Sequence, residues 1–156
     1  MDHSVLDRRA FLLGASAVAA LLPFLAAPGA AQEATPSWEE ALKRLLGDAQ
    51  PVTNGKLLTL ELPEIAENGN MVPVTVSVES PMTEAAHVKA VHLIATANPQ
   101  PSIASFRFTL LSGRAAASSR MRLARTQDVI ALAELSDGKF IMAKRPVKVT
   151  IGGCGG

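Results

Sequence analysis

Alternating apolar and polar side chains run through most of the chain and predict β-strands. In LTLEL the three leucines from Leu58 to Leu62 share one face, with polar residues between them. VPVTVSV is more regular, with valine at every second position from Val72 to Val78. Successive side chains of a strand point to opposite faces, so each segment has one face suited to a core. Pro73 cannot donate a ladder hydrogen bond, which predicts that its strand lies partly at an edge.

Further strand-like segments follow at short intervals, separated by turn residues. The Asp137-Gly138 pair in LSDGKF is the clearest turn and predicts a tight hairpin. Seven or eight short strands with regular turns indicate an antiparallel sandwich. We therefore predict an immunoglobulin-like β-sandwich over residues 51–151. The further strands are expected at Val88–Thr96, Ser105–Leu111, Ser118–Leu123, Asp128–Leu135, Lys139–Ala143 and Val147–Ile151.

A helix is predicted before the strands, within residues 32–50. In SWEEALKRLLG, Ser37 stands as the N-cap and Glu40 three residues later, the pattern of a capping box. Four apolar residues at helical spacing follow, and Gly47 supplies a stop signal. Trp38 is expected to pack this helix onto the body of the domain.

The first 31 residues have the pattern of an export signal. Arg8 and Arg9 precede an apolar run that closes in small residues, with cleavage expected after Ala31. The apolar run is broken by prolines and is short for a membrane span, which needs about 20 residues. A twin-arginine signal predicts a periplasmic protein that is not membrane-bound after cleavage.

Composition removes several classes of function. Hydrophobic residues make up 48% of the chain, which suffices for a core, and the formal net charge is +1. That charge, together with 4% aromatic residues and no tyrosine, gives no reason to expect nucleic acid as a partner. A single cysteine among 156 residues rules out an internal disulfide and a cysteine-rich metal site.

Little in the predicted sandwich suggests catalysis, a metal or a cofactor. His87 and His92 are five residues apart on one predicted strand and should point to opposite faces, so a shared metal is not expected. The acidic segment PEIAENG is interpreted as a turn, with a docking edge as the alternative. An arginine-rich segment is interpreted as a solvated strand face, with an anion-attracting surface as the alternative. Its arginines are Arg114, Arg120, Arg122 and Arg125.

The carboxyl terminus GGCGG holds the strongest candidate for chemistry. Cys154 is flanked by Gly152, Gly153, Gly155 and Gly156. Glycine has no Cβ and populates φ of either sign, which predicts a thin, flexible arm over residues 152–156. Five residues reach roughly 17 Å, enough to enter a narrow tunnel. The motif contains no base or cation to activate the thiol, so Cys154 resembles a carried group more than a catalyst.

The sequence resembles the SoxY family, the sulfur-carrier subunits of the periplasmic Sox thiosulfate-oxidising system. The resemblance rests on VKVTIGGCGG, AENGNMVPVTVSVES, QDVIALAELSDGKF and the twin-arginine leader, and it spans the mature chain. It implies that Cys154 carries the sulfur substrate covalently and that the four glycines let the arm swing.

The resemblance also implies partners. A SoxZ-like subunit would form a heterodimer, and an exposed valine-rich edge would suit such pairing. The c-type cytochrome SoxAX would couple thiosulfate to Cys154, and the hydrolase SoxB would release sulfate and leave a persulfide. A sulfane dehydrogenase, SoxCD, would oxidise the outer sulfur. The carrier itself would hold no cofactor and would not be an enzyme.

Two other interpretations stay open. A terminal Gly-Gly is also found in ubiquitin-like sulfur carriers, which form a thiocarboxylate at the last residue, although an export leader argues against that cytoplasmic chemistry. Alternatively, the domain is a periplasmic interaction module that uses Cys154 for an intermolecular disulfide.

Overall fold

The computed structural model describes residues 36–53 and 56–151, and within these ranges it contains one α-helix and nine strands. Short 3₁₀ turns occur at Gly69–Met71 and Leu110–Ser112. The helix is α1 (Trp38–Leu46), and the strands are β1 (Val52–Thr53), β2 (Leu58–Glu61), β3 (Ile65–Ala66), β4 (Val72–Val78), β5 (Val88–Ala95), β6 (Ser102–Arg107), β7 (Ala115–Met121), β8 (Gln127–Leu135) and β9 (Phe140–Val149).

The strands form two sheets. The larger has the order β1-β9-β8-β5-β6, with β3 also paired to β9, and the smaller has the order β2-β4-β7. Neighbouring strands are antiparallel except β1 and β3, which both run parallel to β9. The predicted β-sandwich with an amino-terminal helix is confirmed.

The core lies between the sheets and follows the predicted alternation. All four valines of β4 are buried, while Pro73 and its alternate neighbours face outward. On the larger sheet, Val91 and Leu93 of β5 belong to this core. Their neighbours on the opposite face, Ala90, His92 and Ile94, are buried as well. Burial on both faces explains why β5 is apolar almost throughout.

Helix α1 begins and ends as predicted. The Ser37 hydroxyl accepts from the Glu40 N–H at 3.2 Å, and the Ser37 N–H donates to the Glu40 carboxylate at 2.9 Å. Gly47 ends the helix with φ of 58°, a value that favours glycine. The helix lies against β5 with Ala41 buried and Trp38 half-buried.

The expectation of an exposed valine-rich edge is wrong. Strand β4 lies between β2 and β7, and its valines face the core. Pro73 is nevertheless at a local edge, because β2 pairs only as far as Thr75. The missing N–H of Pro73 therefore points past the end of β2, where the described part of the chain places no partner strand.

The two strands predicted at Lys139–Ala143 and Val147–Ile151 are one strand, β9. The residues between them, Lys144 to Pro146, suggested a break but pair with β8 without interruption. Pro146 is tolerated because its nitrogen faces the other side of β9. There β1 pairs only at Ile141–Met142 and β3 only at Lys148–Val149, so Pro146 falls in the gap between them.

Several other boundaries differ from the prediction. Strands β6 and β7 each begin three residues earlier than predicted, and Leu110 and Leu111 belong to a 3₁₀ turn. Alanines at the start of β7 gave no strand signal, because their pairing is imposed by β4. The two-residue strands β1 and β3 were not predicted, since they are too short to show a period.

We expect Leu93→Ala to lower the free energy of unfolding by about 2–5 kcal/mol, because it leaves a cavity in the core. Leu93 is 1% exposed, whereas Leu111 is 98% exposed. Urea denaturation of both alanine variants provides the test. Leu111→Ala should change stability by less than about 0.5 kcal/mol, and equal effects of the two variants would contradict the assigned core.

Candidate functional site

The residues predicted to carry the chemistry lie outside the described residues. These are Cys154 with its flanking glycines, Gly152, Gly153, Gly155 and Gly156. The predicted export residues Arg8 and Arg9 are also outside that range. The structure does describe the chain as far as Ile151, one residue before the predicted arm. The end of β9 is therefore the candidate site, and we call residues Val149 to Ile151 the arm root.

On one side, the arm root is held by β3 and the residues around it. The Lys148 N–H donates to the Glu64 carbonyl at 2.9 Å, and the Thr150 N–H donates to the Ala66 carbonyl at 3.0 Å. The Thr150 hydroxyl also donates to the Glu67 carbonyl at 2.9 Å. The acidic segment that was interpreted as a turn thus contains a strand, and that strand fixes the end of β9.

A buried glycine holds the last described residue. The Gly69 N–H donates to the Ile151 carbonyl at 2.8 Å, and the Gly69 carbonyl accepts from the Leu123 N–H at 2.8 Å. Gly69 thereby joins the end of β9 to the segment that follows β7. Ordered backbone contacts continue to the peptide bond before Gly152.

On the other side, a threonine side chain replaces a strand. Strand β8 pairs with β9 as far as Gln127 and Val147. The Val149 N–H then donates to the Thr126 hydroxyl oxygen at 3.0 Å, and the same hydroxyl lies 3.4 Å from the Val149 carbonyl oxygen. One hydroxyl therefore serves both backbone groups of Val149.

Beside the arm root lies a surface groove of about 560 Å³. Apolar side chains of Leu60, Leu62 and Val147 line part of it. Its polar lining carries both signs of charge and consists of Glu61, Glu64, Thr126, Arg145 and Lys148. The groove therefore offers apolar contact and charged groups next to the strand that leads to Cys154.

The histidines occupy separate environments. His87 precedes β5, with Nδ1 3.1 Å from the Thr83 carbonyl oxygen. His92 lies within β5 and is 7% exposed, with Nδ1 2.7 Å from the Ser105 hydroxyl oxygen. Within residues 36–53 and 56–151, no cluster of three or more His, Cys, Asp or Glu side chains could hold a metal ion.

Burial lowers the pKa of His92 below its ordinary value of 6.5. Arg107 lowers this pKa further, while Glu134 opposes the shift. His92 is thus stabilised as a neutral imidazole within the sheet, and the geometry gives it no contact with the arm root.

The arginine-rich segment is solvated as expected, but only Arg120 lies on a strand, since β7 ends at Met121. All four of its arginines are exposed, whereas Met121 and Leu123 between them are buried. In the portion of the chain that the structure describes, no helix has the length and apolar character needed to cross a membrane.

The hydrogen bonds at the arm root were missed by sequence reasoning. Two residues, Ile65 and Ala66, are too few to reveal a strand, and Thr126 lies just before a predicted strand rather than in a motif. The only available signal was Gly69 beside Asn68, which was interpreted as a turn. Its role in holding Ile151 depends on the tertiary structure.

Comparisons with known proteins agree with this architecture. The model of the family described as sulfur oxidation protein SoxY matches residues 42–154. The structure of the sulfur carrier protein SoxY from Chlorobium limicola f thiosulfatophilum is 34% identical, with a TM-score of 0.59. That match covers 72% of this chain and 96% of the other. The comparison with curated proteins gave no match.

More distant structures share the fold alone. A superoxide reductase (neelaredoxin) from Ignicoccus hospitalis is 17% identical over 67% of this chain and 85% of its own, with a TM-score of 0.54. The superoxide reductase from Nanoarchaeum equitans is 15% identical over 64% of this chain and 99% of its own, with a TM-score of 0.53.

The lowered pKa of His92 predicts a pH-dependent stability. The unfolded chain binds the proton more tightly, so stability is full above about pH 6.5 and decreases as the pH falls toward the folded-state pKa. We expect His92→Gln, which cannot titrate, to lose less stability than the parent between about pH 7.5 and 5.5. Urea denaturation at both pH values measures this difference. Equal losses in the two proteins would contradict the assignment.

Proposed function

The chain belongs to the SoxY family, and we propose on that basis that it carries a sulfur substrate covalently on Cys154 during sulfur oxidation. One observation supports this most directly: the family match extends to residue 154, which is the only cysteine in the chain. The similar Chlorobium protein is named a sulfur carrier. A carrier role also agrees with the absence of an activating group within the GGCGG motif.

In the proposed cycle, the Cys154 thiol first couples to thiosulfate. The S–H bond breaks, an S–S bond forms, and two electrons and one proton leave, with a c-type cytochrome complex such as SoxAX as the oxidant. Hydrolysis by a SoxB-like enzyme then breaks the outer S–SO₃ bond with one water molecule. That step releases sulfate and a proton and leaves a persulfide on Cys154.

Where a sulfane dehydrogenase such as SoxCD is present, it oxidises the outer sulfur of the persulfide to a sulfonate. Three water molecules supply the oxygen atoms, six electrons pass to the dehydrogenase and its electron acceptor, and seven protons leave. A second hydrolysis releases sulfate and restores the thiol. In this cycle the chain is not an enzyme and needs no cofactor of its own. It supplies the sulfur atom that bonds the substrate, together with the reach to enter the enzymes.

The arm root supports this role physically. A carried group must travel, but its base must be held so that the enzymes meet it in a defined place. Ile151 is the last residue whose backbone is held by a described hydrogen bond. The five residues from Gly152 to Gly156 can extend roughly 17 Å from that point, and Cys154, the third of them, roughly 10 Å.

We also propose a periplasmic location and a SoxZ-like partner. Arg8 and Arg9 with the following apolar run support twin-arginine export, a route for folded proteins. For the partner, the valine-rich strand is not available because it is central and buried. Strands β6 and β7 are the better candidates, because they are edge strands of six and seven residues, whereas the other edge strands, β1 and β2, have two and four.

Cys154→Ser should abolish the sulfur adduct and thiosulfate oxidation while leaving fold and partner binding unchanged, because the hydroxyl cannot form an S–S bond. The measurement is the intact mass of the mature protein from thiosulfate-grown cells, before and after reductant. The parent protein should show sulfur adducts that map to Cys154 and disappear on reduction.

Removing Gly155 and Gly156 while keeping Cys154 provides a second variant. A carrier that works through the thiol should keep its adducts, whereas a thiocarboxylate carrier would lose them all. A parent protein with no adduct, or with only a disulfide-linked dimer that Cys154→Ser abolishes, would favour the interaction module instead.

A further inference from the structure

Strand β8 stops two residues short of the arm root for a structural reason. Gln127, which is 7% exposed, donates from Nε2 to the Arg125 carbonyl at 3.0 Å and to the Asn98 side-chain oxygen at 2.8 Å. Asn98 also accepts from the Ala124 N–H at 2.9 Å. The backbone bends over residues 124–126, where these bonds tie it to Asn98, and the pairing of β8 with β9 ends at Gln127.

Without a substitute, this turn would leave Val149 unpaired on that side. If the β8–β9 ladder continued past Gln127 and Val147, Arg125 would face Val149. The Arg125 carbonyl is instead occupied by Gln127. The Thr126 hydroxyl takes its place, at 3.0 Å from the Val149 nitrogen and 3.4 Å from the Val149 oxygen. A side chain thereby continues the ladder where the backbone cannot.

We propose that Thr126 is a positioning residue for the carrier arm, assisted by Thr150, and that these two hydroxyls set where the arm leaves the domain. Thr150 donates its hydroxyl to Glu67 on the opposite side of β9. One hydroxyl on each side thus holds the arm root, in addition to the backbone bonds that Thr150 makes to Ala66 and Ile151 makes to Gly69. This inference rests on the proposed carrier function, because a fixed root matters only if the arm delivers a group.

The benefit of a fixed root follows from chain statistics. The local concentration of a tethered group at a partner site falls roughly as the −3/2 power of the flexible length. If Val149 to Ile151 separate from the domain, the tether that ends at Cys154 lengthens from three residues to six, and the local concentration of the thiol falls about threefold. The direction of departure is lost as well, because nothing then fixes the orientation of Ile151.

The first test is Thr126→Val, alone and with Thr150→Val, because valine keeps the shape and removes the hydroxyl. Loss of a hydrogen bond should speed hydrogen exchange of the Val149 amide about fivefold. A spin label on Cys154, the only thiol, should become more mobile, most clearly in the double variant. Thr126→Ser should restore both values, since serine retains the hydroxyl.

Thr59→Val is the matched control. Thr59 is an exposed strand threonine on β2, and its hydroxyl makes no hydrogen bond among the described residues. This variant should leave exchange at Val149 and label mobility unchanged. Exchange of deeply buried amides such as that of Leu132 should stay the same in every variant, which shows that the domain itself is intact.

The functional test uses the purified loading enzyme, with the carrier as its substrate. We expect the double variant to raise the apparent KM for the carrier about twofold while kcat stays unchanged. This is less than complete release of the arm root would give, because the backbone bonds of Thr150 and Ile151 remain. Unchanged exchange and label mobility in the double variant would overturn the proposal. So would faster exchange with an unchanged KM, because the hydroxyls would then hold the strand without positioning the arm. The exchange and label measurements involve no sulfur chemistry, so they separate failure of this inference from failure of the carrier function.

Discussion

The hydrogen bonding of β9 is the constraint on which the rest of the structure depends. This strand lies inside the larger sheet and also leads to the predicted arm, so its backbone groups need partners along its whole length. Strand β8 supplies them on one side as far as Val147. Strands β1 and β3 supply them at the two ends of the other side. The same strand therefore joins the core to the arm root.

Small elements supply the hydrogen-bond partners at the end of β9. β3 has only two residues, and Gly69 and Thr126 each contribute a single group. Their placement depends on larger features: Gly69 is bonded to the segment after β7, and Thr126 directly precedes Gln127, whose side chain is bonded to Asn98. The end of the domain nearest Cys154 is thus held through bonds to several parts of the sandwich.

The topology also separates two surfaces. In the larger sheet, β6 is three strands away from β9, which corresponds to about 14 Å at the usual strand spacing. A partner subunit placed along β6 would extend the sheet on the side away from the arm root. The proposed carrier and pairing roles therefore need not compete for one surface.

Sequence reasoning succeeded where a signal was local. The alternation of β4, the capping box of α1 and the turn at Gly138 each depend on neighbouring residues, and each was predicted. The predicted strand boundaries were wrong where pairing with a neighbouring strand overrides the β-propensity of the residues, as in the alanines of β7. The single strand β9 was divided in two because the position of Pro146 is acceptable only in a gap between two partner strands.

By itself, the sequence determined that the chain has one thiol, that glycines surround it, and which strand faces are apolar. Only the tertiary structure decided which strands are neighbours, that the valine-rich strand is central, and that Thr126 and Gly69 hold the arm root. The physical reason is that periodicity reports which face of an element is buried. The partner of each backbone N–H and carbonyl depends on residues far away in the chain, which no local pattern specifies.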